Sequence, residues 1–138
     1  MILSNIVSNQ FISAPIRLDG IGSSPTEGNI LIFNKITNQW GGLCENNFDI
    51  ADAHVICTML GYPTATLALA NGAAAKLYGT ASSGDNFTLD NLGCIGTETS
   101  VFECPQSNEE TNTCGPSQIA GVHCATSKIW SISDVGCN

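Results

Sequence analysis

Residues 39–61 read QWGGLCENNFDIADAHVICTMLG, a strand that runs into one cysteine and a helix that carries a second. Gln39 to Cys44 holds Trp40 and Leu43 and reads as the antiparallel partner of the β-rich Asn29 to Phe33, across a turn at Lys35–Asn38. Asp49 is placed to cap the helix, with Asp52 three residues on as the reciprocal acid. Ala53, Ile56, Cys57 and Leu60 then recur at i, i+3, i+4 and i+7, one apolar stripe. Gly61 supplies the stop and Pro63 prevents continuation.

Working outward, Ile16 to Asp19 reads as a short strand closed by the turn-prone Gly20–Pro25. Residues 64–86 are rich in Ala, Thr, Gly and Ser and read as loop with short strands. Phe87 to Leu92 alternates like a strand leading to Cys94, and Thr99 to Cys104 makes one helical turn. A polar loop spans 105–118, a closing strand runs from Ile119 to Cys124, and Lys128 to Val135 alternates again through Trp130 and Ile132. With no internal repeat, the chain reads as one loop-rich α+β unit.

A length of 138 residues suits a single domain, and 43% hydrophobic residues suffice for a core. Four Lys and Arg against twelve Asp and Glu give a formal charge of −8. That balance excludes nucleic acid as a partner, because phosphate binding needs a basic footprint. It also disfavours anionic membrane surfaces, and no apolar run approaches the roughly 18 residues of a bilayer span, so membrane insertion by this chain is not expected. Residues 1–16 lack Lys and Arg and do not read as a signal peptide.

Seven cysteines stand at 44, 57, 94, 104, 114, 124 and 137. Their wide spacing provides no C-x2-C pair for zinc or thioredoxin-type chemistry, and points to disulfides and an oxidising, extracellular compartment. Six cysteines alone allow 15 connectivities, and an odd one is left over.

The motifs IRLDG, EGNILIF, QWGGLC, DAHVICTMLGY, FTLDNLGC, GTETSVFEC and AGVHC follow one another between Ile16 and Cys124. In that order and spacing the sequence resembles a scavenger receptor cysteine-rich (SRCR) domain of the six-cysteine, group A pattern. The resemblance implies an α+β fold, a curved antiparallel β-sheet cradling one helix at about 50–60. It implies the disulfides Cys44–Cys114, Cys57–Cys124 and Cys94–Cys104. The positions of the extra group B bond look like Thr26 and Tyr62. Residues 16–124 form the domain on this reading, with 1–15 and 125–138 as extensions able to supply extra or exchanged strands. Cys137 is then unpaired or intermolecular.

The chain shows no G-x-S-x-G, H-E-x-x-H or phosphate-binding loop. His123 stands beside a cysteine expected in a disulfide, His54 reads as a helix surface residue, and Glu109–Glu110 as a solvated pair. The resemblance likewise implies a non-enzymatic module that binds a protein or glycan ligand. It implies calcium at Glu45, Asn46 and Glu98, where Asn46 replaces a family aspartate and weakens the site. Against that stands a plain account, with Glu45 solvated and Glu98 capping the 99–103 turn. Polyanion binding is disfavoured by a single arginine, Arg17. Asn86-Phe87-Thr88 is a glycosylation sequon. Trp40 reads as structural, and Trp130 stays open. The rival to a ligand-binding module is a structural subunit of an extracellular homopolymer or filament, joined through the apolar terminal strands and Cys137.

Overall fold

The computed structural model describes residues 15–81, 87–108 and 114–126. Its elements are β1 (Ile16–Ser24), β2 (Glu27–Asn34), β3 (Gln39–Leu43), α1 (Ile50–Met59), β4 (Ala65–Leu69), α2 (Ala73–Tyr78), β5 (Phe87–Asp90), β6 (Ser107–Asn108) and β7 (Gly121–Cys124). Single 3-10 turns stand at Val101–Glu103 and Pro116–Gln118. Residues 1–14 and 127–138 of the terminal extensions, and with them the expectations placed on Trp130 and Cys137, lie outside the described residues, as do Asn86 and Glu109–Glu110.

The strands form one seven-stranded sheet in the order β4-β7-β2-β3-β5-β6, with β1 also paired to β2. The unbroken apolar run of β2 fits a strand covered on both faces. Ile30 and Ile32 belong to the larger core with Val55, Ile56 and Cys57 of α1. Leu31, between them, belongs to a second cluster with Ala74 and Tyr78 of α2. The two helices thus pack on opposite faces, because successive strand side chains alternate. Gly121 permits this on β7, since a Cβ there would lie 2.8 Å from the Ala74 Cβ and 2.9 Å from the Gly28 carbonyl.

The expected β2–β3 hairpin forms, with Phe33 opposite Trp40. Helix α1 starts as expected. Asp49 accepts the Asp52 N–H at 3.1 Å, Asp52 accepts the Asp49 N–H at 2.9 Å, and Gly61 follows the C-cap at φ 97°. Elsewhere the structure departs from the sequence reading. β1 continues to Ser24, with an irregularity after Asp19 in place of a simple closing turn. The stretch read as loop with short strands holds β4 and also a helix, α2. The fold is α+β as expected, but the sheet is mixed rather than wholly antiparallel, because β5 runs parallel to β3. A parallel neighbour needs a long crossover, and α1, β4 and α2 lie between those two strands.

The disulfides are Cys44–Cys114, Cys57–Cys124 and Cys94–Cys104, the pairs that the resemblance implies. Their Cα separations of 6.0, 5.6 and 4.8 Å suit the bond. Cys57–Cys124 ties α1 to β7 across 67 residues, fastening the helix to a strand that lies between β4 and β2.

Candidate functional site

Glu45 leaves the end of β3 directly after Cys44. Its backbone N–H donates to the Gln118 carbonyl at 2.9 Å, and its Oε1 accepts the Gly72 N–H at 2.9 Å. Asn46 turns the other way, its Nδ2 donating to Asp90 Oδ1 at 3.1 Å. Glu98 folds back on its own loop, accepting the N–H groups of Ile95 and Gly96 at 2.9 Å each. The Ile95 hydrogen bond is the main reason its carboxyl is held below the ordinary glutamate value. Glu98 does not cap the 99–103 turn: Ser100 does, accepting the Phe102 N–H at 3.1 Å, while Glu103 binds Thr99.

The three residues singled out for calcium thus each bind a different partner, Gly72, Asp90 and the Ile95–Gly96 backbone. Asp90 is the acid that sequence reasoning missed here. It is buried, and its Oδ1 accepts the Asn46 side-chain amide. The one metal-like grouping among the described residues is Cys94, Glu98 and Cys104. Both of its sulfurs are tied in a disulfide and are not thiolate ligands.

A second surface lies at the tip of the β2–β3 hairpin. Asn34 Oδ1 accepts the N–H groups of Ile36 and Thr37, and Asn38 takes a positive φ of 61°, so the turn is pinned by its own polar residues. This leaves Ile36 92% exposed. Phe102, on the 3-10 turn, is 47% exposed. Together with Phe33, Lys35, Thr88 and Leu89 they line an open, mostly apolar groove of about 460 Å³. Thr88 braces its floor through a 2.9 Å hydrogen bond to the Ile32 carbonyl.

Beside the groove Phe33 meets Trp40 edge to face at 5.4 Å, and the Arg17 guanidinium stacks 4.4 Å from the Trp40 ring centre. Trp40 also packs against the second core cluster, so its structural reading stands. The Ile36 and Phe102 pairing was not legible in the sequence, since it depends on the parallel return of β5.

Both histidines are engaged in hydrogen bonds. His54 Nδ1 lies 2.8 Å from Thr64 Oγ1. His123 Nε2 lies 2.8 Å from Glu27 Oε1, which also accepts the Tyr78 hydroxyl at 2.7 Å. Burial, with that carboxylate adding to it, pushes the Tyr78 phenol above its ordinary pKa. Among the described residues no helix is long and apolar enough to cross a membrane.

The scavenger receptor cysteine-rich domain family matches residues 21–125. Galectin-3-binding protein of Mus musculus is 36% identical over 104 residues, 75% of this chain and 17% of that protein. Macrophage receptor MARCO of Mus musculus is 38% identical over 88 residues, 64% of this chain and 15% of the receptor. Lysyl oxidase homolog 3 of Homo sapiens is 33% identical over 118 residues, covering 86% and 15%. The chain thus spans less than a fifth of the length of each of these relatives. Among solved structures, the third SRCR domain of murine neurotrypsin superposes with a TM-score of 0.66 at 30% identity, covering 83% of this chain and 98% of that one. The dimeric form of the SRCR domain of mouse MARCO gives 0.60 at 34% identity, covering 72% and 86%.

Proposed function

The chain belongs to the scavenger receptor cysteine-rich domain family, and on that premise we propose that it is an extracellular, non-enzymatic module that binds a protein or glycan ligand. The observation that carries this reading is the hairpin groove. A frame tied by three disulfides holds an open apolar surface, and exposed apolar patches of that kind favour a partner. Calcium assistance through Glu45, Asn46 and Glu98 is part of the proposal. It requires a cation to draw Glu45 off Gly72, with Asp90 supplying charge beside Asn46.

The test is equilibrium binding of the oxidised domain to an array of extracellular proteins and glycans, with calcium and with chelator. Saturable binding to a defined ligand supports the module. The second reading, a homopolymer joined through terminal strands, draws support from the dimeric form recorded for the MARCO domain. Native mass rising with protein concentration, lowered by deleting residues 1–14, supports that reading instead.

A further inference from the structure

We propose that Asn71 is a site of spontaneous deamidation and that the Glu45 carboxylate restrains it. Asn71-Gly72 is the one Asn-Gly pair in the sequence. It occupies the centre of the turn from β4 to α2, closed by the Ala73 N–H on the Ala70 carbonyl at 3.1 Å. Asn71 has φ 57° and Gly72 φ 84°. Two consecutive positive φ angles define a type I′ turn, for which Asn-Gly is the favoured pair. The fold therefore asks for this dipeptide, and its chemistry comes with it.

Asn71 is exposed, so water has access, and Gly72 has no side chain to shield its backbone nitrogen. That nitrogen, once deprotonated by hydroxide, attacks the Asn71 side-chain carbonyl carbon. The N–Cγ bond forms, the Cγ–Nδ2 bond breaks, and the amide nitrogen leaves as ammonia with protons from water. Water then opens the cyclic imide to aspartate or isoaspartate. The balance is one water consumed and one ammonia released, with no change of oxidation state.

In the folded protein the Gly72 N–H is the group that donates to Glu45 Oε1 at 2.9 Å. Attack must first break this charge-assisted hydrogen bond, and the adjacent carboxylate disfavours a negatively charged nitrogen. Glu45 is held there by tertiary structure, since it follows the disulfide residue Cys44 and its own N–H binds Gln118. Unfolding removes the restraint. Modification adds one negative charge beside Glu45, at the turn that carries α2.

The experiment ages the oxidised protein at mildly alkaline pH and follows Asn71 by peptide mapping, which reads the amide-to-acid mass change and isoaspartate. Wild type is compared with Glu45→Ala and Glu45→Gln, each first shown to retain the three disulfides. Glu45→Ala should deamidate several-fold faster than wild type, and Glu45→Gln, which keeps a neutral acceptor, should fall between them. After reduction and denaturation all three should react at one faster rate. Equal rates for the folded proteins, or modification of other asparagines ahead of Asn71, would overturn the proposal. Should Glu45→Ala fail to fold, Glu45→Gln against wild type decides it alone.

Discussion

The Asp52 carboxylate accepts the backbone N–H of Cys94 at 2.8 Å, tying the first turn of α1 to a disulfide residue 42 positions away in the chain. Its other oxygen accepts the Asp49 N–H, and the side chain is fully buried. Removing it by Asp52→Ala strands two backbone donors, and should lower the unfolding free energy by about 2–4 kcal/mol in urea titration.

The same residue sets a pH dependence. Burial pushes the Asp52 carboxyl up to about 6 from an ordinary 3.8. Between those values the folded state binds more protons than the unfolded one, so stability falls as pH rises through the window. The contribution is complete below the unfolded value and lost above the folded one. Urea midpoints taken across this range should decline with pH in wild type, and Asp52→Asn should remove that part of the slope.

Asp52 also shows how far the sequence could be read. Its spacing from Asp49 announced a capping box, and the box is there. Nothing local announced Cys94, because that contact depends on how the loop after β5 returns to the helix. The same limit hid α2, a short alanine-rich helix whose Gly72 N-cap makes no side-chain hydrogen bond. It hid Asp90 too, which reaches Asn46 only once β5 lies beside β3. Elements fixed by neighbours in sequence were legible, and contacts made by the crossover were not.

Non-reducing peptide mapping should recover Cys44–Cys114, Cys57–Cys124 and Cys94–Cys104 in the oxidised protein. Loop entropy then ranks the bonds. Replacing both Cys57 and Cys124 by Ala should cost about 4 kcal/mol, against about 3 kcal/mol for Cys94 with Cys104. The longer bond closes 67 residues and the shorter one ten. Thermal unfolding of the two double variants checks the order.

Millimolar calcium is expected to raise the melting temperature by mass action. Asn46→Asp should enlarge the shift, and Glu98→Ala should abolish it. Melting curves unmoved by calcium in wild type and Asn46→Asp alike would retire the cation from the proposal.

Glu27 joins β2 to α2 and β7 through Tyr78 and His123. Tyr78→Phe removes one hydrogen bond while keeping the ring, and should cost about 1 kcal/mol. In ultraviolet titration the Tyr78 phenol should resist ionisation beyond the ordinary tyrosine range.

The most direct test of the binding module concerns the hairpin groove. A ligand captured from the extracellular array is titrated against wild type, Ile36→Asp, Phe102→Ala and the control Leu77→Asp, which alters an equally apolar exposed residue on α2. The account predicts that both groove variants keep the wild-type melting temperature and lose affinity at least tenfold, the equivalent of about 1.4 kcal/mol, while Leu77→Asp binds like wild type. Undiminished binding by both groove variants would contradict it.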